Sequence, residues 1–328
     1  MREQAIFWPA AAPDAADRRS TPCVRPRLPP GSTPGRATGR LAVVDFARAL
    51  WLRIETLHAV TYFGEETTEA GRSLGLGGFW AGYFGFRAAP LGPVGSGVVE
   101  ATFFNFAPGF VRRWVPGCWD AASPEAMLTA RSEAATRTLT RLCPDLPAQA
   151  AGPNAALAEA VARGVGAGRP LFAANRSLTP PDDPVASLWQ LCTSLREHRG
   201  DGHVAALTAC GVDGIEAHVL ITLEHGHAAE DIQRTRGWSA GDWSDAVDRC
   251  ARRGWVGGAG TLTAAGRQLR ADVEATTDRL AATPFERLDA ATTSALVDAL
   301  TPAAEAVSRS GVIRYPNPMS LPAVHERH

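Results

Sequence analysis

Lysine is missing from the chain altogether: all 33 basic side chains are arginine. That excludes catalysis through a lysine Schiff base, lysine-bound pyridoxal phosphate, and the P-loop lysine of nucleotide-binding proteins. Long hydrophobic runs are lacking too, with nothing near the about 18 uninterrupted apolar residues of a membrane-spanning helix, and no membrane partner is expected. A net charge of −1 over 328 residues gives no overall drive toward nucleic acid or an acidic surface. Cysteine is sparse, and its six positions (23, 118, 143, 192, 210 and 250) show neither a CxxC pair nor zinc-ribbon spacing. With no secretory hydrophobic segment, they read as reduced thiols of a cytoplasmic protein. No dinucleotide fingerprint, HExxH or kinase signature is present, and no nucleophile elbow is expected. Redox cofactors and α/β-hydrolase chemistry are therefore set aside, and no cofactor is expected.

What is present reads as a mainly α protein. Residues 1–40 carry seven prolines and seven arginines and read as a disordered leader, or as sequence upstream of the true start. From Val44 to His58 apolar residues recur at helical spacing. Phe79 to Trp114 gathers ten aromatics between glycine and proline breaks, with an irregular stretch expected over LGPVGSGVV. Ser123 followed by Pro124 marks a helix start. From Pro184 a helix is expected to end at HRGDGH, where Asp201 would cap a short helix running to Gly211; Asp213 would cap the next. The expected division is a leader (1–40), an aromatic-rich helical domain (41–183) and a winged-helix-like domain with terminal helices and a strap (184–328).

The segment Ala240 to Leu280 resembles the second half of a MarR-type winged helix. A helix closes in ARRGWV, a glycine-rich hairpin follows (Gly257, Gly258, Gly260), and LTAAG opens a long helix. The resemblance implies a small β-wing. The ordered chain also resembles an actinobacterial SalK-like helix-turn-helix family. It does so through HAVTYF (58–63), GYFGFRAAPLGPV (82–94), RPLFAANR (169–176), LREHRGDGHVAAL (195–207) and PNPM (316–319). This implies a setting in specialised metabolism and supplies no reaction. Against DNA reading, the would-be recognition helix begins with Asp242, Asp245 and Asp248 where base edges and phosphates would lie.

Candidate chemistry centres on REHRGDGH (196–203). Histidine, aspartate and arginine there supply acid, base and anion clamp, although a capped helix corner accounts for the same residues. His198, Asp201 and His203 have the residue types of a two-histidine, one-carboxylate site, but their spacing matches no metal motif, so no metal is assigned. His58 and Tyr62, four apart, are either a hydrogen-bonded pair facing a pocket or a satisfied core histidine with its neighbour. Arg87, after five aromatics, needs a partner: Glu55, Asp201, another internal acid, or a ligand anion. His218 and the EHGH histidines (His225, His227) are read as helix and helix-end residues, with Gly226 as the cap.

The leading expectation is a protein that binds a hydrophobic metabolite between its halves and acts on it by proton transfer, as in cyclisation, isomerisation or dehydration. His58 and His203 would be acid or base, Tyr62 a donor and Asp201 a histidine orienter. Arg87 and Arg199 would clamp an anion, with His198, Tyr83, Trp80 and Phe106 contacting the ligand. The rival is a ligand-responsive winged-helix regulator that binds DNA, and a third class is a non-catalytic carrier. Long terminal helices are compatible with a homodimer.

Overall fold

Capping chemistry punctuates this chain, and the computed structural model, which describes residues 34–315, 317 and 319–324, follows it closely. In order come α1 (Pro34–Phe63), α2 (Glu65–Ser73), α3 (Phe79–Ala88), α4 (Ser96–Phe103), α5 (Pro108–Val111) and α6 (Cys118–Ala121). They are followed by α7 (Pro124–Leu142), α8 (Leu146–Gln149), α9 (Ala151–Arg163), α10 (Pro170–Arg176) and α11 (Pro184–Ala209). The chain ends with α12 (Gly214–His225), α13 (Ala229–Arg236), α14 (Ala240–Arg252), α15 (Ala264–Ala282) and α16 (Ala290–Arg309). Residues 1–33 of the expected leader lie outside the described residues, whereas 34–40 already belong to α1.

The starts are chemically explicit. Ser123 caps α7, and the Asp183 carboxylate accepts from the Val185 and Ala186 amides with Pro184 in the first helical position. Reciprocal capping boxes open α12 (Asp213 with Glu216) and α14 (Ser239 with Asp242). α12 and α13 both end on left-handed glycines, Gly226 and Gly237.

α11 is the central post, packed by α1, α7, α9, α10 and α15, while α16 lies along α1. One apolar core joins these helices, a second gathers the aromatics of α3 to α6, and a third fills α12, α14 and α15. Gly237 makes the α13–α14 turn tight. Its φ is +79°, and a Cβ there would sit 2.3 Å from the Cβ of Phe110, so the turn locks onto the aromatic core.

Four expectations need correction. HRGDGH is no corner, because α11 runs unbroken from Pro184 to Ala209. Gly200 and Gly202 lower helix propensity, but Glu197, His198, Arg199 and Asp201 are all buried, and tertiary packing decides. A Cβ on Gly202 would come within 2.7 Å of the Arg169 guanidinium, so the glycine serves close approach rather than a break.

The β-wing is also absent. The described residues contain no strand, only one antiparallel bridge between Val256 and Leu262, since Gly257 to Gly260 turns back too soon to extend it. The irregular stretch after α3 is shorter than expected, with Ser96 to Phe103 helical.

Among the cysteines, 118, 143, 192 and 250 are free and buried. Cys210 is disulfide-bonded, against the expectation of thiols throughout, and Cys23 lies outside the described residues. Among the described residues no single helix is long and apolar enough to cross a membrane.

Candidate functional site

A cavity of about 840 Å³ lies between α1, α3, α4, α11, α12, α13 and α15 and is also lined by Met319, Ser320 and Pro322 beyond α16. Helical periodicity sets its walls. On α11 the lining residues Arg196, Arg199, Gly200, His203 and Val204 form one stripe spaced by three and four. Arg48, Trp51, Leu52 and Glu55 do the same on α1, and Arg270, Glu274 and Thr277 on α15.

One wall is aromatic. The Trp80 ring stands edge-on to Phe106 at 5.8 Å, and Tyr83 lies 5.6 Å from Phe106 and 6.1 Å from Phe103. Against these rings lies a dense set of charges. Arg87 donates from Nε and Nη2 to the two oxygens of Glu197, at 3.0 and 3.1 Å, and from Nη1 to the Tyr83 hydroxyl at 3.1 Å. Arg196 donates to Glu197 (2.9 Å) and Glu55 (3.2 Å). Burial pushes the Glu197 carboxyl up, but Arg196 and Arg87 outweigh burial and hold it well below its ordinary range.

A second cluster joins α1, α11 and α15. Arg48 donates to Asp278 (2.8 Å), and Arg199 donates to Glu274 (3.3 Å) while lying over the Trp51 ring at 4.5 Å. Arg199 Nη1 is 2.9 Å from Asp278 Oδ1 without hydrogen-bond alignment, so that contact is chiefly coulombic. Arg270 holds Glu224 at 2.8 Å. Glu274 and Asp278 thus turn inward to arginines.

The expected site residues divide. Tyr62, Arg87, Arg199, His203, Tyr83, Trp80 and Phe106 line the cavity; His58, His198 and Asp201 do not. His58 is a satisfied core residue, with Nδ1 3.0 Å from Thr193 Oγ1 and Nε2 2.9 Å from the Tyr62 hydroxyl. Burial pulls it well below the ordinary histidine range, so its assignment as acid or base is withdrawn. His198 packs edge-on against Phe172 at 4.8 Å and does not line this cavity. Asp201 orients no histidine and caps no helix of its own. On a continuous α11 it points to α10, where Oδ2 accepts from the Phe172 amide at 2.9 Å.

His198 and Asp201 therefore share no centre with His203, and among the described residues no cluster of histidine, cysteine and acid is placed to hold a metal. The partner of Arg87 is an internal acid, Glu197, rather than Glu55 or Asp201. The GxSxG spelling at Gly71–Gly75 is the end of α2, where Ser73 donates to the Glu69 carbonyl; it is not an elbow.

Two lining groups are titratable but displaced from neutrality. Burial lowers His203 to about 4, with Glu274 opposing, and burial raises Tyr62 well above the ordinary phenol range. General acid–base work at neutral pH favours groups with values near 7.

Burial raises Asp201 to about 7, against the Phe172 amide bond that favours its anion. Its unfolded carboxyl ionises near 3.8, so between about pH 4 and pH 7 the unfolded chain loses a proton that the folded chain keeps. Stability falls as pH rises through that window. Asp201→Asn, which keeps an acceptor for Phe172, is expected to gain on wild type by on the order of 1 kcal/mol per pH unit from 4 to 7 and to level off above. Denaturant titrations at several pH values check this, and parallel curves for the two proteins refute it.

Residues missed from sequence include Glu197, Arg48, Arg236, Arg270 and His218 as lining or supporting groups. Treating α11 as one helix would have exposed its stripe. The pairing of Glu197 with Arg87, 110 positions apart, has no local signal.

A family model described as a helix-turn-helix family matches residues 47–314. No curated protein and no solved structure matches the chain.

Proposed function

The chain belongs to that helix-turn-helix family, and from this premise we propose that it is a small-molecule-binding protein whose working part is the interhelical cavity. The observation that carries the reading is the cavity itself: about 840 Å³, lined by aromatic rings together with arginines and carboxylates. That volume and mixed lining suit a planar apolar molecule with a polar edge. The specialised-metabolism setting follows from the SalK-like resemblance. Proton-transfer catalysis has less support than binding, because His58 and Asp201 lie away from the cavity and His203 and Tyr62 titrate far from neutrality.

The test uses 1-anilinonaphthalene-8-sulfonate, a fluorescent aromatic anion. Saturable one-to-one binding to the wild type is expected. A Cβ at Gly200 would meet Glu197 and Arg196 only at 3.5 and 3.6 Å, so a larger side chain has room to grow into the cavity. Gly200→Phe is expected to keep the fold, as circular dichroism would report, and to weaken binding at least about tenfold. Unsaturable binding, or equal binding by the two proteins, refutes the reading.

A regulatory reading is compatible with the family match: α13, the turn at Gly237 and α14 have the connectivity of a DNA-binding helix-turn-helix. The acidic face of α14 weighs against it.

A further inference from the structure

The His203 imidazole is held in one tautomer by its neighbour on α15. Thr277 Oγ1 donates its single hydrogen to the Val273 carbonyl at 2.8 Å. The same oxygen lies 2.9 Å from His203 Nδ1, and with its hydrogen already given it can only accept there. Nδ1 therefore carries the ring hydrogen, and Nε2 presents a lone pair. His203 is half-buried and lines the cavity. Among the described residues its Nε2 has no hydrogen-bond partner, and unlike the Nε2 atoms of His198 and His218 it is not sealed from open space. This edge of the ring is an acceptor offered to whatever occupies the cavity.

The charges around the ring narrow what that occupant brings. Burial lowers the imidazole to about 4, with Arg199 and Arg270 adding to it and Glu274 opposing. At neutral pH the ring is uncharged, so Nε2 accepts a hydrogen bond and leaves the proton with its donor. Glu274 is answered by Arg199 and Asp278 by Arg48, so a ligand cation would meet guanidiniums with no acid left for it. A carboxylate has no hydrogen to give at neutral pH. Arg270 places Nε and Nη2 on Glu224, at 3.0 and 2.8 Å, while its Nη1 is 3.9 Å from Glu274, beyond hydrogen-bonding distance. Arg270 lines the cavity too, so its Nη1 hydrogens are open to an incoming oxygen. A hydroxyl meets both demands, because it donates one hydrogen and its oxygen still accepts; an amide N–H only donates. An acceptor this weakly basic favours the stronger donor, a phenol over an alkanol, and the rings that line the cavity suit an aromatic body.

We propose that His203 is a recognition residue of the cavity, its Nε2 accepting a hydrogen bond from the hydroxyl of an uncharged phenolic ligand. This rests on the reading of the cavity as a small-molecule site and adds the polar group that the ligand carries. It gives His203 a part in binding, in place of the acid or base role expected from the sequence.

The first test needs no ligand. In nitrogen NMR of the histidine-labelled full chain at neutral pH, His203 is expected to show a pyridine-type Nε2 and a protonated Nδ1. A protonated Nε2 overturns the inference. Calorimetric titration then compares 2-naphthol with 2-methoxynaphthalene, its methyl ether, which keeps the rings and loses the donor. The wild type is expected to prefer 2-naphthol at least about tenfold, a ratio within reach of one buried hydrogen bond. Its Nε2 signal should move upfield with 2-naphthol and stay in place with the ether. His203→Phe is expected to bring the ratio to about one, and it strands no donor, because the Thr277 hydrogen stays on Val273. A preference kept by His203→Phe places the hydroxyl elsewhere and overturns the inference. Equal affinity of the wild type for the two compounds, or an Nε2 signal unmoved by bound 2-naphthol, does the same while leaving the cavity reading intact. Failure of both naphthalenes to bind also overturns it. If 1-anilinonaphthalene-8-sulfonate fails to bind as well, the cavity reading falls with it.

Discussion

Glu197→Ala is expected to cost about 3–5 kcal/mol of folding stability, the range for removing one member of a buried ion cluster. Glu197 is 1% exposed and answers two guanidiniums, Arg87 through a bidentate pair and Arg196 through a single bond. Without it both cations stay buried, and only Arg196 keeps a carboxylate, Glu55. The unfolding temperature should fall by roughly 4–7 °C, as scaling for a chain of this size implies.

Glu197→Gln, which keeps the shape and removes the charge, should lose nearly as much. Arg87→Met should lose less, since Arg196 still answers Glu197 and methionine fills the space against Phe103. A loss under about 1 kcal/mol for the alanine variant, or equal losses for Glu197→Gln and Arg87→Met, would show that packing rather than charge decides here. The sign of the pH effect is also fixed. The folded carboxyl is held below its ordinary value of 4.5, so its stabilisation is fully present above that pH and fades as pH falls below it. The gap between wild type and Glu197→Gln should therefore narrow in acid.

Much of the fold could be read in the sequence wherever local chemistry decides it. Ser123, Asp213 and Gly226 act as expected because a cap depends on its own few neighbours. The reading failed where distant packing overrode local preference. Gly200 and Gly202 looked like a break, but Leu280 of α15 and Arg169 before α10 press on that part of α11 and keep it helical. That single error carried into the site. With a corner at 200, Asp201 and His198 seemed to converge with His203; on a continuous helix they face α10 while His203 faces the cavity. The aromatic cluster was readable from composition, since most of ten rings in one stretch need burial, although Phe79 stays exposed.

The second large effect concerns DNA. In a helix-turn-helix the first turns of the second helix meet base edges and phosphates. Here α14 exposes Asp242, Asp245 and Asp248 there, and α13 adds Glu230 and Asp231. Its arginines do not offset them: Arg249 is held by Asp213 and Glu216, and Arg253 by Glu216 and the Gly211 carbonyl, while it lies over Trp255 at 3.6 Å. Arg234 is exposed but paired with Asp231, so Arg252 is the cation on these two helices that most readily reaches a phosphate.

Non-specific affinity comes from neutralised phosphates and the counterions they release, about 0.9 of a salt-slope unit for each contact. At about 50 mM salt the wild type is therefore expected to leave a random-sequence duplex unshifted in a gel. Asp245→Arg combined with Asp248→Arg avoids the capping pair Ser239–Asp242 and reverses the charge of two exposed positions. That variant should bind at least about tenfold more tightly, with a salt slope near −2 from two new contacts. Tight, competitor-resistant retention of a duplex from the chain's own upstream region by the wild type would reverse the preference. The cavity would then be a sensor, and the acidic face of α14 would have to turn away from the phosphates.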